Sequence, residues 1–391
     1  MNSSPEAIEN WRRRIKESTS ANYHYCMGVA LERESLSAAV DAYRRAIDAD
    51  AMEFRAFLRL CDLLERAGDP AGAAQLHRQA LETDPFYKGN GTAALARDAA
   101  TEGKTEDAWR LLNEAVARQA TEVALLAEVA ETVGNQFRLA RRTDDAVRCY
   151  QAAIGWNPDS AGVHFGLAEI LYIQGDLQQA RHHAQACVRH QPDWPDALYL
   201  MGNVALLEQQ WDAALSWFQQ ALNHRFRSPS SINSLMGSTL MAAARLPEAL
   251  QHIDLTLAKS PGDSQMIGTR GIVLLRLGRV AEANAQLAGL VPQIQNDPYL
   301  RTVYALSLTA DGKPEAGLEQ IDIALGLLPS WSLTLCGRAY ILLRLGRREE
   351  AVETMRAARH HEPLWVDFSA RVLFNEPDAI LGLVNDERSG T

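Results

Sequence analysis

A step of 34 residues constrains this chain more than any other feature. Ala146, Ala180 and Ala214 stand 34 apart, as do Ala153, Cys187 and Ala221, and Pro158 and Pro192. The same step separates Gly278, Gly312 and Gly346, and it runs through Ala249, Ala283, Gly317 and Ala351. Residues 161–194, AGVHFGLAEILYIQGDLQQARHHAQACVRHQPDW, show one unit whole. Two stretches of helical period meet at Gln174-Gly175-Asp176, and Pro192 closes the second. Self-similarity at this period predicts stacked helical units, each burying its apolar face on its neighbours. A globular chain of 391 residues would divide into two or three domains. A stacked array need not, because its core grows unit by unit.

Bulk properties narrow the function. Net charge is −10, which argues against a duplex nucleic-acid binder, where a basic stripe is expected. Cys26, Cys61, Cys149, Cys187 and Cys336 are scattered, odd in number and without a CxxC pair. That is neither a disulfide framework nor a zinc ribbon, and it fits a reducing compartment. The opening MNSSPEAIENWRRRIKES lacks the apolar core of a secretory signal. No run of 18 apolar residues occurs, so no membrane span is expected. The expected location is cytoplasmic.

The pattern W-x2-L-G-x2-Y, then A-x3-F, then P is the tetratricopeptide signature, and the chain resembles that family over nearly its whole length. The resemblance implies an all-α fold: a right-handed α-solenoid superhelix of about ten tetratricopeptide helix pairs with N- and C-terminal capping helices. Residues 1–20 read as an N-terminal capping or docking helix, with Ile8, Trp11 and Ile15 on one stripe opposite Arg12, Arg13 and Arg14. Residues 21–365 form the array, irregular around 88–126, where about four extra residues precede the fourth repeat. Residues 366–391 form a C-terminal capping helix and a frayed tail. Glycine or alanine at the eighth position and alanine at the twentieth belong where the helices of a unit cross. A large residue at the twenty-fourth position, such as Tyr43, Tyr150, Phe218, Ile253 or Met355, fills the groove toward the next unit. These residues are structural.

The repeats use the whole chain and leave no room for a catalytic domain. There is no G-x-x-x-x-G-K-[ST], no G-x-G-x-x-G after a strand, no G-x-S-x-G and no H-E-x-x-H. No catalytic residue, cofactor or enzymatic activity is expected. His183, Cys187 and His190, at i, i+4 and i+7, are of zinc-ligand type. Cys187 holds the small-residue position that alanine fills in neighbouring repeats, which marks its thiol as core, so no metal site is assigned.

In the tetratricopeptide family the first helix of each pair lines a concave groove that holds a partner's extended peptide or helix. Carried onto this chain, the inward positions give Arg55, Asp62, Glu65, Arg97, Glu131, Asn135 and Arg138 in repeats two to four, with Arg59 beside them. They give Phe165, Glu169, Tyr172, Tyr199, Asn203 and Leu206 in repeats five and six, then Ser234, Met241, Ile272, Leu275, Tyr340 and Leu343 further on. The groove is expected to run from polar, through aromatic, to apolar. Asn135 and Asn203 share the ninth position, where the family can use asparagine to hold peptide backbone. The Lys/Asn/Arg clamp that some members close on a terminal carboxylate is not matched. The expected function is a non-enzymatic scaffold that binds a protein or peptide segment in the groove. Two alternatives are a substrate-recognition subunit of a separately encoded modifying enzyme, such as a glycosyltransferase, and a self-assembling homo-oligomer.

Overall fold

The computed structural model describes residues 19–288 and 296–384. The expected N-terminal helix, its arginines and the tail from 385 onward lie outside the described residues. The chain forms an all-α solenoid of helix pairs, and no strand occurs among the described residues. The first pair is α1 (19–31) and α2 (Leu36–Ala49). Then come α3 (Phe54–Arg66) with α4 (Pro70–Thr83), α5 (Tyr87–Thr101) with α6 (Thr105–Ala117), and α7 (Val123–Leu139) with α8 (Thr143–Trp156). Next are α9 (Ala161–Gln174) with α10 (Leu177–His190), α11 (Pro195–Leu207) with α12 (Trp211–Asn223), and α13 (Pro229–Ala242) with α14 (Leu246–Lys259). The last pairs are α15 (Ser264–Arg276) with α16 (Val280–Ala288), α17 (Pro298–Ala310) with α18 (Pro314–Leu327), and α19 (Ser332–Arg344) with α20 (Arg348–His361). A closing segment holds α21 (Val366–Leu373), α22 (Asp378–Leu381) and one 3-10 turn (Gly382–Val384). The chain divides into two compact units, Met1–Ile170 and Leu171–Thr391.

Helix starts follow from local chemistry. Asp69, Asp176, Asp263 and Asp297 each accept a backbone N–H from the first turn of the helix they precede, and Pro70 and Pro298 stand in the first turn, where a missing N–H does no harm. Helix ends inside a pair follow a second rule. From the α3–α4 pair onward the turn holds a residue with left-handed backbone, and Gly312 supplies it at φ 81°. Its N–H donates to Thr309 O at 3.1 Å, and the next N–H, of Lys313, reaches Leu308 O at 2.9 Å, which satisfies carbonyls the helix leaves free. Arg141, Gln209 and Ala244 hold the same kind of turn at φ 62°, 58° and 59° with a side chain to accommodate. Replacing Ala244 by glycine should therefore stabilise the second unit by about 0.5–1 kcal/mol. A rise in the urea midpoint checks this; no rise would show that the turn has relaxed around the Cβ.

Packing explains the period. Ala146, Ala180 and Ala214 are all fully buried, as are Ala153, Cys187 and Ala221. The ring of Tyr150 fits into two notches. A Cβ on Gly134 would lie 2.8 Å from it, and one on Gly166 would lie 2.5 Å from its hydroxyl. The Tyr150 hydroxyl donates to Asn135 Oδ1 at 2.8 Å. Tyr43 and Phe218, the counterparts of Tyr150, are equally buried.

The irregular third repeat resolves in a simple way. Its extra residues become an added turn at the start of α7, which has 17 residues where most first helices have 13 or 14. The connector before α7 turns at Gln119, which is left-handed at φ 59°. Arg225, at φ 62°, does the same in the connector before α13, where the sequence carries one extra residue.

Candidate functional site

In the first unit, α1, α3 and α5 border a cleft of about 880 Å³. Arg55 on α3 is the most constrained polar group there, with 8% exposure. Its Nε donates to Glu53 Oε1 at 2.7 Å, and Nη1 reaches Asp98 Oδ2 at 3.0 Å. Nη2 donates to Asn22 Oδ1 at 3.0 Å, and the guanidinium lies 4.3 Å from the centre of the Tyr25 ring. Burial works against the Arg55 charge, but the Glu53 and Asp98 carboxylates outweigh it and hold its pKa above the ordinary value. The Tyr25 hydroxyl is pushed up to about 12, first by burial and then by Asp98. One helical turn on, Arg59 lies 3.9 Å from Glu32, and its buried Nε has no hydrogen-bond partner. Asp62 is exposed at the cleft edge and pairs with Arg66 at 3.2 Å.

Arg55, Arg59 and Asp62 all line this one cleft. Arg97 does not line this cleft; its neighbour Asp98 does. Asn22, Tyr25, Glu53 and Asp98 escaped sequence reasoning, although acids two residues before an inward arginine and one residue beside another are a usable signal. Further along the same unit, Glu131 accepts from Ser160 Oγ at 2.8 Å, and Asn135 accepts from Tyr150. Arg138 Nη1 donates to Glu169 Oε2 at 2.6 Å. Phe165 is half-buried on α9.

The second unit is built differently. Tyr172 is half-buried, and burial raises its pKa. Tyr199 stacks on Phe226 with ring centres 4.8 Å apart. Asn203 is 5% exposed, and its Oδ1 has no hydrogen-bond partner. Tyr340 stacks on Phe374 at 4.8 Å, so a residue of the closing segment covers it. The sequence placed that segment as a cap on the last repeat. It packs on α19, and it also reaches α13 and α15. A set of hydroxyls joins these helices: Ser234 to Thr269 at 2.9 Å, Thr269 to Tyr299 at 2.9 Å, Thr302 to Thr334 at 2.9 Å and Ser332 to Ser369 at 3.0 Å. Ile272, Leu275, Tyr340 and Leu343 border one hollow together with Phe374 and Ile380 of the closing segment.

Buried Cys61, Cys149, Cys187 and Cys336 have thiols pushed up to between about 11 and about 12 chiefly by burial, the opposite of nucleophile activation. Among the described residues no group of three or more His, Cys, Asp and Glu could hold a metal ion, and no helix is long and apolar enough to cross a membrane.

Three stretches of the chain, residues 29–88, 137–186 and 174–232, match the family model described as tetratricopeptide repeat. The human protein O-mannosyl-transferase TMTC1 is 22% identical over 171 residues, covering 43% of this chain and 19% of that protein. Hsp70-Hsp90 organizing protein 1 of Glycine max is 23% identical over 229 residues, covering 54% of this chain and 39% of that protein. The chain therefore spans less than half the length of either relative. A tetratricopeptide repeat protein from Parabacteroides merdae, solved by crystallography, superposes with a TM-score of 0.50 at 14% identity, covering 65% of this chain and 98% of that one. That likeness concerns the fold alone. Taken with the 34-residue step, the paired helices and the small residues buried where they cross, the matches identify tetratricopeptide repeats at residues 29–88 and 137–232 of this chain.

Proposed function

We propose that the chain is a non-catalytic scaffold that holds an extended segment of a protein partner in the cleft of its first unit. The observation that carries this reading is the lining of that cleft. Leu58, Leu95 and Leu111 give apolar floor, Arg59 and Arg110 give cations, and Asp62, Glu102 and Asp107 give anions. Such a mixture suits a peptide, whose backbone and side chains present all three kinds of surface. Arginine and tyrosine are also the side chains that most often anchor interfaces. Arg55 takes part by fixing the wall, since its own donors are engaged within the protein.

Cys26 supplies the test. It lines the cleft and is exposed, whereas the other four cysteines are buried. A photo-crosslinker on Cys26 should trap the partner from native extract. A crosslinker on Leu255→Cys, in a chain with Cys26→Ser, should not, because Leu255 is 61% exposed in a separate hollow on α14. Equal trapping from both positions, or none from Cys26, would count against the cleft. A second reading, a substrate-recognition subunit of a separate modifying enzyme, rests on the stretch shared with the O-mannosyl-transferase. A glycosyltransferase trapped at Cys26 would favour it over a general scaffold.

A further inference from the structure

The segment after the last repeat makes contacts that a simple cap does not need. Arg276, in the last turn of α15, points its Nη1 at the carbonyls of Met241 and Arg371, each at 2.7 Å, and of Val372 at 3.1 Å. Two of these belong to the last turn of α21, where helical carbonyls are free and the dipole is negative. Arg276 Nε donates to Asn375 Oδ1 at 3.1 Å, and Asn375 Nδ2 returns a bond to Arg276 O at 3.0 Å. Phe374 stacks on Tyr340, and Phe368 lies 6.4 Å from Trp211 on α12. The arginine thus reads a helix end and the residue following it, 95 to 99 positions along the chain.

The fit is incomplete. Hollows of about 520 Å³ and about 420 Å³ flank α21, the first beside Trp331, Trp365 and Phe368, the second beside Leu275, Leu343 and Phe374. The helix has 8 residues, too few to persist alone in water. Its position is maintained by the tether, which gives the segment a high effective concentration without requiring strong contacts.

We propose that the inner face of α13, α15 and α19 is a receptor for a short amphipathic helix that ends in phenylalanine-asparagine, and that residues 366–375 are its tethered resident. An outside partner of this chemistry binds by displacing the resident. Arg276 recognises the free carbonyls of any such helix, Tyr340 takes the aromatic ring, and the asparagine closes the reciprocal pair with the Arg276 backbone. This surface belongs to the second unit and stands or falls separately from the cleft at Cys26.

The test uses the full chain and a labelled peptide of its residues 364–380. A Phe374→Ala/Asn375→Ala variant weakens the resident and should take up the peptide roughly tenfold or more tightly than the parent, read by fluorescence anisotropy. Adding Arg276→Gln should lose roughly that factor again, through the charge-assisted bonds removed. A folded variant that binds no better than the parent, or that ignores Arg276→Gln, overturns the proposal. Hydrogen exchange on the unaltered protein decides independently of how the variants fold. Amides of 367–374 should open at least roughly a hundredfold more readily than those of α19. Equal protection would make the segment an integral part of the core and refute the proposal.

Discussion

Tyr150→Ala should destabilise the first unit by about 3–5 kcal/mol, as expected for a fully buried aromatic side chain whose neighbours cannot collapse into the space. Two glycines face the ring, Gly134 and Gly166, and neither has a side chain to move into the gap. The change also removes the hydroxyl that donates to Asn135, leaving that amide to find water. Because each repeat is supported by its neighbours, the loss should be shared by the units on either side. Urea denaturation followed by circular dichroism measures it. Tyr150→Phe is the control: it keeps the ring, loses the one hydrogen bond, and should destabilise by only about 1 kcal/mol. If the two variants lost the same amount, the ring would not be the determinant of this contact.

Arg55→Ala ranks second, at about 3 kcal/mol, the lower end of the range for removing one partner of a buried ion pair. The side chains of Arg55 and Glu53 are only 10% and 9% exposed, so Glu53 would be left as an uncompensated carboxylate. Asp98 is 30% exposed and can recover water, which is why the upper end is not expected. Combining the change with Glu53→Gln should restore about 1 kcal/mol or more, since the stranded charge disappears. A double variant no better than the single one would locate the loss in the Tyr25 and Asn22 contacts instead. The same pair of variants separates stability from binding at the cleft, because the double variant recovers part of the lost stability without restoring the arginine.

The repeat is legible in the sequence because its determinants are local. A turn that wants glycine, a crossing that admits only small residues and a proline where a helix stops all recur at fixed spacing, and each has a steric cause. Arg55, Arg59 and Asp62 could be placed on one face for the same reason. What was not legible departs from the period. The extra turn at the start of α7 blurs the boundary between the third and fourth repeats, and Asp98, one residue along α5 from Arg97, holds no position that the repeat marks. Tyr340 and Arg276 look like ordinary inward and last-turn residues of their helices, and their partners lie in a segment outside the repeat. A 34-residue pattern carries no information about a contact made across 95 residues.

The tie from Arg276 to the end of α21 changes how the second unit shares load. In an open array each repeat touches only the next, so a pull on the last repeat peels units away one at a time. Here the segment beyond the last repeat is fastened to α13 and α15 as well as to α19. Tension applied at that end enters the array at several repeats together, and none of the last four can leave until the fastening breaks. The second unit is thereby a single mechanical element while the tie holds and a row of separable ones once it is released.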